Sequence, residues 1–270
     1  MKCWIKGGLL MASVIAGASL LAVPARADNW SKTYTITGQP DLRVDTSDAN
    51  IQVSTWDQKT IEARVTTTGY KIGDDGIHIE ERQTGDTVEI DVRFPHHGVT
   101  INWGNHRSVE INIQMPREGK VDLHTGDGGI DLRAFRGDMQ LHSGDGAVET
   151  DDVDGKLHVL TGDGHIRANG RFDQLDLKTG DGRVEARAAQ GSLLATGWRL
   201  ESGDGSVTLE VPDDFAADVD LHTGDGHIDL DMPITTEGKV RAGEIHGKMN
   251  GGGNLLTIHT GDGSIHLRKS

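Results

Sequence analysis

The chain has 270 residues, with 37 glycines, one cysteine, 4% aromatics, and 27 Lys+Arg against 42 Asp+Glu for a formal net charge of −15. So acidic a balance argues against nucleic acid as a partner and against electrostatic docking on anionic lipid, while it suits solubility and cations. Abundant glycine with few aromatics fits short strands joined by tight turns, and no stretch carries apolar residues at helical three-four spacing.

Residues 1–27 read as a secretory signal. Lys2 and Lys6 give a positive start, Gly8 to Val23 is apolar and small, and Ala25-Arg26-Ala27 supplies a small-x-small cleavage pattern. The mature chain is expected to begin at Asp28. The apolar run is short for a membrane span, and no second run of spanning length follows, so no membrane insertion is expected after cleavage. Cys3 precedes the apolar run and cannot be the lipidated first residue of a lipoprotein; the exported chain would then hold no disulfide. Loss of Lys2, Lys6 and Arg26 leaves 24 bases against 42 acids, a net charge of −18. The expected location is periplasmic, cell-envelope or secreted.

Residues 28–118 are irregular. Strand-like runs fall at Thr60–Thr66, Val88–Phe94 and Val109–Gln114, separated by loops at Tyr70–Gly76 and Pro95–Arg107. Asp45-Thr46-Ser47-Asp48-Ala49-Asn50 followed by Ile51-Gln52-Val53 looks like a worn copy of the repeat that comes later. Terminal repeats of an array must differ from the rest to close its open end, and this segment is expected to be that cap, with Trp30 or Trp56 covering the first rung.

Residues 119–270 are a repeat. Gly-Asp-Gly preceded by Thr or Ser occurs seven times, with aspartates at Asp127, Asp145, Asp163, Asp181, Asp204, Asp225 and Asp262, spaced 18, 18, 18, 23, 21 and 37 residues apart. In one copy Val121, Leu123 and Thr125 share a parity, Gly126-Asp127-Gly128 breaks it, and Ile130 and Leu132 resume on the other. Each unit therefore reads strand, turn, strand, turn, with alternate residues inward. The Thr or Ser shares the inward parity and is expected to form a hydroxyl column bonding turn backbone. The last gap is expected to hold two coils, one of them degenerate around Val240-Arg241-Ala242-Gly243-Glu244-Ile245. Asp-Gly between alternating strands fits an antiparallel hairpin meander as well as stacked parallel coils. Near-identity of the copies favours the stack, in which like residues lie on like about 4.8 Å apart. The gaps of 7, 2 and 9 among Leu123, Ile130, Leu132 and Leu141 set aside the left-handed hexapeptide helix and its acyltransferases. The predicted fold is an all-β parallel β-solenoid with about 18 residues per coil, one continuous domain from 28 to 270.

Three stretches carry a resemblance: the Thr/Ser-Gly-Asp-Gly-x-Ile/Val-x-Leu phrase, Ile51-Gln52-Val53-Ser54-Thr55-Trp56-Asp57, and Ile113-Gln114-Met115-Pro116 before the first full repeat. Over residues 40–268 the chain resembles the bacterial "putative adhesin" family of exported β-strand-repeat domains. The resemblance implies a β-helical fold and an envelope or secreted location, and it brings no catalytic residues.

The aspartate ladder invites a calcium reading. Calcium β-rolls, however, place Asp two residues after the second glycine, in two turns per coil, and calcium needs six to eight oxygens. Unpaired carboxylates stacked at exposed turns cost roughly 0.9 kcal/mol per neighbouring pair in water, so the seven aspartates are expected to be structural turn residues that bond their own turn backbone. His124, His142, His222 and His259 all precede the Thr/Ser and face outward; only the first two lie on adjacent copies, and an outward polar role is expected over zinc or copper binding. No Ser/His/Asp or Cys constellation and no phosphate loop stands out. The loop Pro95–Arg107, with His96, His97, Trp103 and His106, is where an irregular site would sit. The expectation is a non-enzymatic envelope module with no catalytic residues, no cofactor and no bound metal, contacting an envelope protein or glycan. The alternatives are a polysaccharide-active β-helix enzyme and a calcium-stabilised binding module.

Overall fold

The computed structural model describes residues 27–73, 76–95, 107–236 and 243–270, which form strands joined by turns, bends and irregular links. The expected signal lies outside this range apart from Ala27, as do His96, His97, Trp103, His106 and Val240–Ala242. Among the described residues no helix is long and apolar enough to cross a membrane.

The N-terminal strands are β1 (Ala27–Thr35), β2 (Asp41–Thr46), β3 (Asn50–Trp56), β4 (Thr60–Thr68), β5 (His78–Thr84), β6 (Thr87–Arg93) and β7 (Ser108–Pro116). The regular strands are β8 (Glu118–Thr125), β9 (Ile130–Arg133), β10 (Arg136–Ser143), β11 (Val148–Thr161), β12 (Ile166–Thr179), β13 (Val184–Ala188), β14 (Trp198–Ser202) and β15 (Val207–Val211). Last come β16 (Ala217–Thr223), β17 (Ile228–Leu230), β18 (Ile234–Thr236), β19 (Glu244–Met249), β20 (Leu255–Thr260) and β21 (Ile265–Lys269).

These strands form two parallel ladders that meet at the Gly-Asp-Gly corners and, on the other side, at the bends within β11 and β12. One ladder runs β6, β2, β8, β10, then the C-terminal halves of β11 and β12, then β14, β20 and β16. The other runs β7, β3, β9, the N-terminal halves of β11 and β12, then β13, β15, β21 and β17. Through the middle of the stack, partners such as Val121 and Met139, Met139 and Leu157, and Leu157 and Leu175 are one repeat apart in the chain. The stack is thus all-β and solenoid-like, and the parallel register rules out the hairpin meander there.

The rung order departs from chain order at both ends. Rung β2–β3 lies between β6–β7 and β8–β9. At the far end the last rung, β20–β21, slots between β14–β15 and β16–β17. The expectation of a degenerate coil between Asp225 and Asp262 is corrected accordingly. After β17 the chain turns back: β18 and β19 run antiparallel, and β19 covers the edge of β16 antiparallel. The N-terminal cap is built likewise, from β1 and β4 antiparallel on β7 and from β5 antiparallel on β6. Trp30 on β1 is half-buried against the core, whereas the worn copy is a full internal rung rather than part of the cap.

Side-chain parity follows the alternation. Leu123, Ile130, Leu141, Leu157, Leu177, Leu200 and Ile258 are buried, while Asp122, His124, Gln140 and Lys178 between them are exposed. The longer step between β13 and β14 is filled by Phe172, Trp198 and Phe215, whose rings pack at 6.0 and 4.9 Å between centroids.

The Thr/Ser column forms as expected. Thr125, Ser143, Thr161, Thr179, Ser202, Thr260 and Thr223 are all buried. Each hydroxyl donates to the carbonyl at the end of the neighbouring corner: Thr179 to Gly164 at 2.9 Å, Ser202 to Gly182 at 2.8 Å, Thr260 to Gly205 at 2.8 Å, Thr223 to Gly263 at 2.7 Å. Several accept from the second glycine of their own corner, as Gly182 N–H does at 3.2 Å from Thr179 Oγ1. The corner glycines are needed for close approach, since none has positive φ. A Cβ on Gly182 would lie on the carbonyl of Gly164, 2.5 Å from its carbon, and 2.8 Å from Thr179 Oγ1. The corner Ser47-Asp48-Ala49 carries side chains where the later corners carry glycine.

Candidate functional site

The seven repeat aspartates stand at the corners, every one exposed. The bonds that hold these residues come from the backbone. Asp145 N–H donates to Gly126 O at 3.0 Å, Asp181 N–H to Gly162 O at 3.2 Å and Asp225 N–H to Gly261 O at 3.0 Å. The expected bond from each carboxylate to its own turn is not among the hydrogen bonds of the described residues, so the ladder of amides carries the corner. At the worn corner Asp48 meets Asp127; burial first, and that neighbouring carboxylate second, push its pKa above the usual carboxylate range.

The histidine column lies on the outer face of the first ladder. Reading along the stack, one position is Asp45, His124, His142, Leu160, Lys178, Glu201, His259, His222 and Glu244. His124 and His142 stand 4.6 Å apart between ring centroids, and His222 and His259 stand 5.8 Å apart. The expectation that only the first pair would be adjacent is corrected: insertion of β20 beside β16 brings the second pair together. Desolvation, then the neighbouring His124, lowers the pKa of His142.

A second set of side chains pairs within single strands. Acid and arginine two positions apart share a face of a strand and pair there: Asp41 with Arg43 at 3.0 Å, Glu62 with Arg64 at 3.1 Å, Asp91 with Arg93 at 2.6 Å and Asp131 with Arg133 at 2.6 Å. The signal in the sequence is the acid-x-Arg spacing inside a period-two run. At the bends within β11 and β12, Arg171 bridges Asp154 and Asp173; its hydrogen bond holds the Asp173 carboxyl below the usual range.

Two of these pairs flank a groove of about 620 Å³ on the outer face of the second ladder, across β4, β7, β3 and β9. Its floor carries Gln52 from β3 and Asn112 and Gln114 from β7, whose neighbours Ile51, Val53, Ile111 and Ile113 point into the core. Glu62–Arg64 closes one side and Asp131–Arg133 the other. No hydrogen bond among the described residues uses the three floor amides, so they offer free donors and acceptors to a ligand. Both wall carboxylates are held by arginine, which leaves no unpaired acid pair for general acid–base work there.

The chain is similar to several solved structures. A solved structure of a "putative adhesin" from Bacteroides fragilis is 14% identical, with 89% of this chain and 97% of that one covered and a TM-score of 0.50. A "putative lipid binding protein" from Parabacteroides distasonis is 13% identical over 90% and 98% of the two chains, TM-score 0.45. A "putative cell adhesion protein" from Clostridium sporogenes is 13% identical over 91% and 100%, TM-score 0.42. At such identity the first likeness shows the fold alone. No curated protein sequence matches. The Toastrack DUF4097 family model matches residues 40–268, and the chain belongs to that family.

Proposed function

We propose that this chain is an exported, non-enzymatic β-solenoid with a regular coil of about 18 residues, an envelope interaction module of adhesin type. In this reading residues 1–27 are removed on export, 28–118 form the irregular part, which holds the antiparallel cap and the rungs β2–β3 and β6–β7, and 119–270 hold the regular array. The groove over β3 and β7 is the contact surface, and its occupant is a glycan or a polar protein segment. The observation that carries this is the row Gln52, Asn112 and Gln114: three amides with no hydrogen-bond partner among the described residues, between two closed ion pairs. Side-chain amides flanked by fixed charges match the donor and acceptor pattern of hydroxyl-rich or polar-backbone ligands.

The test is binding of the mature chain to a glycan array and to envelope extract, beside the variant Gln52→Ala/Asn112→Ala/Gln114→Ala. Saturable binding lost in the variant is expected. Binding that survives the triple change overturns the groove, and release of reducing ends from any bound polysaccharide overturns the non-enzymatic reading. N-terminal sequencing of the exported protein should begin at Asp28; a start at Met1, or recovery only with membranes, overturns the proposed export.

A further inference from the structure

The insertion of the last rung brings together two repeat copies that lie far apart in the chain. Ile228-Asp229-Leu230 of β17 pairs in register with Ile265-His266-Leu267 of β21. The two preceding corners then set His227 beside Ser264. His227 Nε2 lies 3.2 Å from Asp229 Oδ2, and His266 Nδ1 lies 3.1 Å from the same oxygen. The two imidazoles meet edge to face at 5.8 Å between centroids. All three ligand atoms fall within 4.8 Å of one another.

We propose that His227, Asp229 and His266 form a binding site for a borderline divalent transition metal, Zn²⁺ or Cu²⁺, that clamps the inserted C-terminal rung to its neighbour. The separations fit: two ligands at about 2.0–2.2 Å from a first-row ion stand roughly 3.0–3.5 Å apart. Two imidazoles with one carboxylate select such ions over calcium or magnesium, which prefer all-oxygen sets. Ser264 supplies the supporting contact. Its Oγ lies 2.8 Å from His227 Nδ1. With the proton on Nδ1 donated to that hydroxyl oxygen, the Nε2 lone pair faces Asp229. His266 is the most enclosed of the three, its side chain 22% exposed, so one ligand is fixed while the other two remain open to an incoming ion. The remaining coordination positions face solvent and are left to water.

The site also has a mechanical position. β17 has three residues and only three ladder pairs to β21. A metal bridging the two strands adds a cross-link where the parallel ladder has only three pairs, and it forms only after the last rung has slotted in.

The test is titration of the metal-stripped mature chain with ZnCl₂, followed by calorimetry and native mass spectrometry, with CaCl₂ and MgCl₂ as controls. One equivalent of zinc is expected, with no saturable calcium or magnesium binding at this site. His227→Ala and His266→Ala should each weaken zinc at least tenfold, and Ser264→Ala severalfold, whereas His124→Ala/His142→Ala should not change it. Cu²⁺ electron paramagnetic resonance gives an independent reading: two imidazole nitrogens in the wild type and one in each single variant. Circular dichroism confirms that the variants are folded, and His227→Gln and His266→Gln replace any alanine variant that is not. Failure to saturate with one equivalent at millimolar zinc overturns the proposal. So does zinc binding unchanged by the His227 and His266 variants, or lost instead in His222→Ala/His259→Ala.

Discussion

Replacement of Gly182 by alanine separates two opposed physical expectations. Gly182 has no positive φ, and at such a site Gly→Ala ordinarily stabilises by about 0.4–1 kcal/mol, because the unfolded chain loses freedom. The stacked corner reverses the sign. The new Cβ would sit 2.5 Å from the carbonyl carbon of Gly164 and 2.8 Å from Thr179 Oγ1, where van der Waals contact needs about 3.4 Å. Opening that gap moves one corner by at least about 0.9 Å and strains two hydrogen bonds at once, Thr179 to Gly164 O and Gly182 N–H to Thr179. Two lost bonds at about 1 kcal/mol each and an overpacking cost of about 1–3 kcal/mol give a loss of roughly 3–5 kcal/mol. For a chain of this size that lowers the melting temperature by on the order of 10 °C. Thermal unfolding followed by circular dichroism measures it. A Gly182→Ala protein as stable as the wild type, or more stable, would show that the glycines serve turn conformation and that the rungs do not press on one another at the corners.

Leu177→Ala, at a fully buried position, should cost about 2–5 kcal/mol, whereas Lys178→Ala, which loses only an exposed pair with Glu201, should stay within about 0.5 kcal/mol. Equal midpoints in denaturant would show that the inward and outward faces are exchanged. Asp48→Asn should stabilise at pH 7, by about 0.5 kcal/mol or less at this exposed corner. A folded pKa raised by burial and by Asp127 favours folding at low pH, and that contribution is lost as pH rises through the folded pKa. The gain from Asp48→Asn should therefore vanish by about pH 3; denaturant titrations at the two pH values check it, and an equal gain at both refutes it. Calcium at millimolar concentration should shift melting no more than magnesium at matched ionic strength, since the corner aspartates are single, exposed and one per rung. A calcium-specific rise of many degrees that disappears in Asp145→Asn/Asp163→Asn would make the ladder a metal site.

Much of this architecture is legible in the sequence because the repeat writes its own register. Val121, Leu123 and Thr125 show by parity which side chains are buried, and copies of constant spacing show which residues stack. The order of the terminal rungs is not legible in that way. Phrases such as Gly226-His227-Ile228-Asp229 and Gly263-Ser264-Ile265-His266 look like distant copies, and only nonlocal pairing makes them neighbours. The second histidine pair and the His227–Asp229–His266 cluster are invisible until that pairing is known. The groove is hidden for a related reason. Gln52 and Asn112 belong to the least regular part of the sequence, where β3 and β7 pair across more than fifty intervening residues. Individually they read as ordinary outward polar positions. The acid-x-Arg pairs needed only strand spacing, and the alternation already contains it.

Intercalation of the end rungs bears on how such an array can be made and how it can change. A stack in strict chain order can assemble as its chain emerges, each coil settling on the one before. Here rung β16–β17 cannot seat against β14–β15, because the space between them belongs to residues that come later in the chain. That end must wait until β20 and β21 have emerged, and until then the edges of β14 and β15 stay open. The same constraint acts on descent by duplication. A copied unit can be added between Asp127 and Asp181, where neighbours in the chain are neighbours in the stack, and every register downstream is preserved. Copying a unit at either end would separate an interlocked rung from its slot. The shortest and most constant spacing in the sequence falls within that permissive middle, and the two locked ends fix the stack from outside.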